Sequence, residues 1–476
     1  LERASAEGFL LNDQQPVPEG LEPLESVDAL ALPTQPRTIR TGLRLNIRGR
    51  SVKLRGLRRD PKGILRWLFI LGPGLIATSA GNDAGGIATY SSAGAQFGYD
   101  LIWVMVIITV SLAVVQEMCA RLGAATGRGL LDLIRERFGI GWALFAVSVI
   151  LIANGGLVVS EFVGIGAAMG LLGVSKYIVI PIGAVLLWYL VIFGSYGWVE
   201  KIFLLMTLVF FAYPVAAIMA HPHWREVAHG AFIPTLHKDP DYIFILVGLM
   251  GTTITPYMQL FQQSSLVEKG VARRHYGLER VDAYFGSLFS NLMSIFMIIA
   301  TAATLHAIGK TDIQTAADAA QALRPVVGEA AEKLFAVGLL GASLLAGAVL
   351  PLATAYAISE ALGVPKGVNL DFRRARVFFT IFTALIVMGA GAALVPHVPV
   401  IKLLLWTQVL NGILLPIILV FILILINDKR LTGDLKNTRL YNFLGWGTFA
   451  MITTAVVVML GSQLLDLLGV HVFGSG

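Results

Sequence analysis

Asp83 stands in the middle of an apolar stretch of membrane length, residues 72–97, GPGLIATSAGNDAGGIATYSSAGAQF, where the run Gly81-Asn82-Asp83-Ala84-Gly85-Gly86 interrupts it. An ionisable side chain at bilayer depth costs at least ~2.5 kcal/mol on insertion scales, so by default it marks an ion pathway or substrate site. Each glycine around it weakens a helix by about 1 kcal/mol relative to alanine, which releases backbone carbonyls where a cation could use them. Asp83, with Ala80, Asn82 and Gly86 around it, therefore reads as a cation site on a broken helix. Asn82 either faces the ion or caps the half-helix that follows. The blander alternative is a buried Asp paired with a basic residue. No Lys or Arg lies within the span, and under that reading the glycines would have no purpose.

A second interruption lies at Gly248-Leu249-Met250-Gly251-Thr252-Thr253-Ile254-Thr255-Pro256-Tyr257. Pro256 removes a helical amide, so carbonyls near Thr252 lose their usual partners. The threonine hydroxyls, Thr252 and Thr255, either face the ion or bond back to their own helix, a common habit in membrane spans.

The elements that must position these residues are membrane helices. Hydrophobic residues make up 56% of the chain and charged ones 14%, which excludes an ordinary soluble globular protein. About eleven candidate spans of roughly 20 residues each lie near 67–97, 100–120, 141–172, 177–194, 198–220, 241–267, 283–306, 333–359, 376–395, 400–427 and 442–468. The basic residues cluster in alternate loops: Arg121 to Arg137, Lys269 to Arg280, Lys366 to Arg374, and Lys429 to Arg439. The positive-inside rule then predicts a cytoplasmic N-terminus and an extracellular C-terminus. No processed signal peptide is expected.

Residues 1–60 are expected to be a disordered segment, acidic first and then basic from Arg37 to Arg59. The basic part suits anionic lipid headgroups. Nucleic-acid binding is not expected, because no aromatic residues separate these charges. The sole cysteine, Cys119, lies in a span, so no disulfide within the chain is possible. No P-loop or nucleophile motif appears, which predicts neither an enzyme nor a cofactor. The eight histidines all fall in loops or at span ends.

Breaks in spans one and six suggest two five-helix repeats of inverted topology plus an eleventh helix, the LeuT-type, all-α polytopic fold that holds its substrate at the midplane. A channel filter is normally repeated around an oligomeric axis, so paired breaks within one chain favour a carrier. An amino-acid carrier of this architecture would turn a half-helix N-terminus to a substrate carboxylate, which Asp83 would repel.

Gly72-Pro73 followed by Asp83, the run Gly94-Ala95-Gln96-Phe97-Gly98-Tyr99, and Ala125-Thr126-Gly127-Arg128 with Asp132 resemble the NRAMP family of divalent-metal transporters over nearly the whole chain after residue 65. That family carries DPGN in its first break and A-x-x-M-P-H in its second. Here the Asp is kept as Asp83, but the Pro is Ala84 and the Asn is Gly86. In the sixth span the Ala is Thr252, the Met is Thr255, the Pro is kept as Pro256 and the His is Tyr257. These departures bring the chain nearer to the NRAMP-related magnesium transporters of bacteria. The resemblance adds Gln408 near the ion and Glu161 on an ion or proton route. It implies a transporter domain over 61–468 with a short tail at 469–476.

A thioether favours transition metals, whereas hydroxyl, carbonyl and carboxylate oxygens suit hard ions. Mg²⁺ binds through one or two carboxylates and keeps several waters, so Asp83 ringed by Gly86, Thr252 and Thr255 would suit a partly hydrated ion. Tyr257 and Val158 replace a His and an acidic residue that could move protons in the family, which predicts uptake without obligatory proton coupling. The expectation is a secondary carrier in the cell membrane for Mg²⁺ and also Mn²⁺. A monomer is compatible with it. The alternatives are a proton-coupled Mn²⁺/Fe²⁺ carrier of the family and a divalent-cation channel or sensor. Glu117 and Arg121, spaced i to i+4, are expected to form a structural ion pair.

Overall fold

The computed structural model describes residues 44–47, 50–53, 81–193, 211–268, 270, 276–323, 328, 331–368, 370, 371–396 and 399–468. Two units are present, Leu1–Arg59 and Asp60–Gly476. In the first, β1 (Arg44–Ile47) pairs antiparallel with β2 (Arg50–Lys53), Arg44 opposite Lys53 and Ile47 opposite Arg50. Leu45, Ile47 and Val52 favour extended backbone. The rest of segment 1–60, expected to be disordered, lies outside the described residues.

Among the described residues of the second unit the regular elements are all helices. In chain order it contains α1 (Ala84–Phe97), α2 (Ile102–Thr126), α3 (Leu130–Phe138), α4 (Ile140–Leu171), α5 (Lys176–Phe193), α6 (Ala212–Met219), α7 (Trp224–Phe232), α8 (Pro240–Thr253), α9 (Pro256–Glu268) and α10 (Tyr276–Thr304). There follow α11 (Ala316–Ala320), α12 (Ala331–Leu362), α13 (Arg376–Ala393), α14 (Val400–Asn427), α15 (Lys429–Thr432) and α16 (Arg439–Leu467). Among the described residues nine stretches are long and apolar enough to cross a membrane, Pro240–Glu268 counting as one. The first and fifth expected spans fall partly outside the described residues, where α1 and α6 are their described portions.

Near-uniform apolar sequence makes these helices, because every backbone polar group must be satisfied within its own segment in hydrocarbon. Local chemistry ends them. Gly127, at φ 63°, closes α2 by donating its amide to the Gly123 carbonyl, a left-handed turn that glycine makes without steric cost. In α3 the apolar Leu130, Leu131, Leu133 and Ile134 turn inward and the charges stay outward, so the loop expected between spans two and three carries an amphipathic helix.

The sixth span breaks where Pro256 stands. The chain leaves α8 at Thr253 and enters α9 at Pro256 itself. Pro has no amide to give the Thr252 carbonyl, so that oxygen is released from the helical ladder. α9 is unusually polar for a buried helix: Gln259, Gln262, Gln263, Ser264 and Ser265 are all buried. Its far end is tied to α12, where Ser264 donates to Glu360 Oε1 at 2.7 Å and Glu268 accepts from the Tyr356 hydroxyl. Glu360 also accepts the Leu131 amide of α3 at 3.1 Å and lies 3.5 Å from Lys366 Nζ.

α1 packs against α4, α8, α10 and α14. α8 and α14 meet backbone to backbone: a Cβ on Gly251 would lie 2.5 Å from the Gly412 amide nitrogen, and one on Gly412 would lie 2.6 Å from the Val247 carbonyl oxygen. Glu117 and Arg121 pair as expected, at 2.9 Å and both buried. Arg121 also donates to Asn437 Oδ1 at 2.6 Å and lies 5.0 Å from the centre of the Tyr441 ring, which joins α2 to the start of α16.

Candidate metal-ion site at the first helix break

Asp83 is fully buried and serves as the N-cap of α1, in extended backbone at φ −69° and ψ 179°. Its Oδ1 accepts the Gly86 amide at 2.5 Å, one of the amides that a helix start leaves without an internal partner. Gln408, reaching from α14, donates Nε2 to Oδ1 at 2.9 Å and to Oδ2 at 3.1 Å. A second buried carboxylate joins the first, since Glu161 of α4 accepts the Ala84 amide at 3.3 Å and the Ser160 hydroxyl at 3.2 Å. Two acidic side chains therefore meet at the positive end of one half-helix, where its dipole favours them. Opposite, the carbonyl end of α8 presents the negative end of a second half-helix.

The threonines divide. Thr252 Oγ1 donates to the Gly81 carbonyl at 3.4 Å, a bridge from α8 to the first break rather than a bond back to its own helix. The Thr255 hydroxyl is buried beside Tyr257 and makes no hydrogen bond of good geometry among the described residues. Tyr257 is fully buried and within electrostatic reach of both Asp83 and Glu161.

Three expectations need correction or bounding. Asn82 neither turns to Asp83 nor caps α1. Its Nδ2 lies 3.2 Å from Ser290 Oγ and its Oδ1 accepts from Ser294 at 2.7 Å, so the side chain pins the break to α10. Both ends of the amide are thus engaged by serine hydroxyls of the neighbouring helix. Gly86 bounds the space beside Asp83 and offers no side-chain donor to an ion. A Cβ there would meet the Gly81 carbonyl oxygen at 2.7 Å, Thr252 Oγ1 at 2.9 Å and Asp83 Oδ1 at 3.1 Å, so the glycine lets the break close tightly on itself. Ala80 lies outside the described residues.

Tyr90 was not foreseen as part of the site. It is fully buried on α1, and its hydroxyl lies 3.3 Å from Thr253 Oγ1. Its position seven residues after Asp83, two helical turns along the same face, was the available signal. Among the described residues no group of three or more His, Cys, Asp or Glu side chains is placed to hold a metal. The donors here are two carboxylates and neutral oxygens.

Comparison with known proteins shows the family and the fold. Residues 74–462 match the model of the Nramp family, "Natural resistance-associated macrophage protein-like". A divalent metal cation transporter, MntH, of Klebsiella pneumoniae is 30% identical over 416 residues, 85% of this chain and 95% of the relative. The MntH of Deinococcus radiodurans is 30% identical over 425 residues, 86% of this chain and 92% of the relative. In structure the chain is similar to the Eremococcus coleocola manganese transporter, with a TM-score of 0.70 at 21% identity over 86% of this chain and 90% of that one. The fold is also similar to that of MhsT in complex with L-phenylalanine, with a TM-score of 0.55 at 14% identity over 81% of this chain and 97% of that one. With a helix broken at Pro256 and a match across most of its length, the chain belongs to the Nramp family of divalent-metal transporters.

Proposed function

We propose that the chain is a secondary carrier that takes up Mg²⁺, and also Mn²⁺, across the cell membrane by alternating access, with the ion keeping part of its water. Asp83 is the main ligand. The observation that carries this reading is the donor set around it: the Glu161 carboxylate, the hydroxyls of Thr252 and Thr255, and the Thr252 carbonyl released by Pro256. Such oxygens suit hard ions, and with so few charges in reach Mg²⁺ would complete its octahedron with water. The curated relatives are named for divalent metals in general and the structural neighbour for manganese. The preference for Mg²⁺ rests on Thr255. Arginine and lysine clustering supports a cytoplasmic N-terminus, with the basic stretch before the first span against anionic lipid.

Transport is proposed to run without obligatory proton exchange, since Tyr257 and Val158 offer no group that titrates near neutrality. Proton-coupled exchange is the second reading, and the Glu161 carboxylate on the Ala84 amide favours it. The test is uptake of Mg²⁺, Mn²⁺, Ca²⁺ and Cd²⁺ into proteoliposomes, for the wild type and for Asp83→Ala. Mg²⁺ and Mn²⁺ should enter the wild type, Ca²⁺ should enter poorly because its larger shell prefers six to eight oxygens, and the variant should transport none. Wild-type rates from equally folded Asp83→Ala protein would remove Asp83 from the site.

A further inference from the structure

Gln408 meets Asp83 with the wrong end for a metal ligand. Its Nε2 donates to both carboxylate oxygens, at 2.9 and 3.1 Å, whereas its Oε1, the end that could bind a cation, is buried without a partner among the described residues. The approach is built into the fold. A Cβ on Gly85 would collide with the terminal amide of Gln408, so only glycine at this position admits that amide to the start of α1. The α14 backbone that carries Gln408 is in turn seated directly on Gly251 of α8.

An NH₂ group astride a carboxylate supplies the partial positive charge that a cation would supply, in charge-assisted hydrogen bonds. The same NH₂ repels a cation on those oxygens, so the amide donor and the ion are alternative occupants of one place. A carrier that works without proton exchange must return across the membrane after releasing its metal, and a buried carboxylate with neither ion nor proton is strongly disfavoured on that step. Accepting the reading of Asp83 as the ion ligand, we propose that Gln408 is a surrogate for the ion: its NH₂ holds Asp83 during the return of the unloaded carrier, and rotation of the amide presents Oε1 when metal arrives. The rotation is about a terminal torsion with a broad, roughly two-fold profile, which makes the exchange easy.

The proposal separates two fluxes that a ligand role alone would not. Net uptake of radiolabelled Mn²⁺ into metal-free proteoliposomes requires the unloaded return. Exchange of labelled Mn²⁺ against Mn²⁺ inside the vesicles does not. In Gln408→Leu, which has neither donor nor acceptor, the ratio of net uptake to exchange should fall by about tenfold or more, the scale of one lost hydrogen bond to a charged group. Gln408→Glu keeps an acceptor and can donate only when protonated, so its ratio should rise as the medium is taken from about pH 8 to about pH 6, while that of the wild type stays level. A parallel fall of both fluxes in Gln408→Leu overturns the proposal, leaving the amide as a ligand or a packing group. If Gln408→Leu does not fold, a pH-independent ratio in Gln408→Glu overturns it equally. Transport by Asp83→Ala would instead remove the underlying reading of the site.

Discussion

Under the proposed reading, donor hardness at Thr255 sets which metals the site prefers, because a single methionine there would add a soft, polarisable sulfur next to an otherwise all-oxygen shell. Thr255→Met should therefore raise Cd²⁺ uptake relative to Mg²⁺, by about tenfold if the new ligand contributes some 1.4 kcal/mol of discrimination. Competition between the two ions in vesicles measures this, and an unchanged ratio would sink the ligand assignment. At the scale of single residues the sequence was readable where a residue is costly in a span. A carboxylate at bilayer depth and a proline in a span pointed to the helix start that Asp83 caps and to the helix break at Pro256. It was not readable where the answer depended on which way a side chain turned. Asn82 adjoins Asp83 in the chain yet serves α10, because two serines more than 200 residues away wait for its amide. Tyr90 was missed because aromatic residues in membrane helices carry no cost that calls for explanation.

At the scale of elements, a buried ion pair joins α2 to the start of α16. Glu117→Gln would leave the buried Arg121 charge with only neutral partners, and breaking a buried pair in this way should cost about 3 kcal/mol, the lower part of the usual range because Asn437 and two carbonyls remain. Thermal unfolding in detergent should show the loss, and replacing both residues by leucine should recover part of it. Outside the spans, the loop before α12 is tied by Asp318, which accepts from Lys310 Nζ at 2.5 Å and closes a capping box with Thr315. Partial burial pushes the Asp318 carboxyl up, but the Lys310 ammonium, the Thr315 hydroxyl and the backbone amides of Thr315 and Gln314 outweigh it and hold the group below its ordinary value. A depressed carboxylate stabilises above its unfolded pKa and loses that contribution as pH falls through the folded one. Protection of the amides across 310–320, taken relative to intrinsic exchange, should accordingly hold from neutrality to the ordinary carboxylate value and fall as the pH drops from there through the folded one. In Asp318→Asn it should already be lower at neutrality. Elements of this kind were less legible than the spans. The order of spans followed from hydropathy alone, whereas α3 and α11 are short, and their periodicity was hidden among charges and alanines.

Taken whole, the molecule is a device for moving two positive charges through a field. At 100 mV each elementary charge is worth ~2.3 kcal/mol, so a divalent ion entering a negative interior gains about twice that. Uptake should respond steeply to an imposed potential and weakly to an imposed pH gradient. Acidification of the vesicle lumen accompanying Mg²⁺ entry, followed with an encapsulated dye, would establish the coupled alternative. The contact between Gly251 and Gly412 bears on how such a device is geared. With no side chains between them, α8 and α14 have nothing to compress and no rotamers to exchange, so in the proposed alternating-access cycle they would travel as one lever. Thr252 and Gln408 would then keep a constant span, a fixed caliper, and the site would open by displacement of Asp83 relative to that pair.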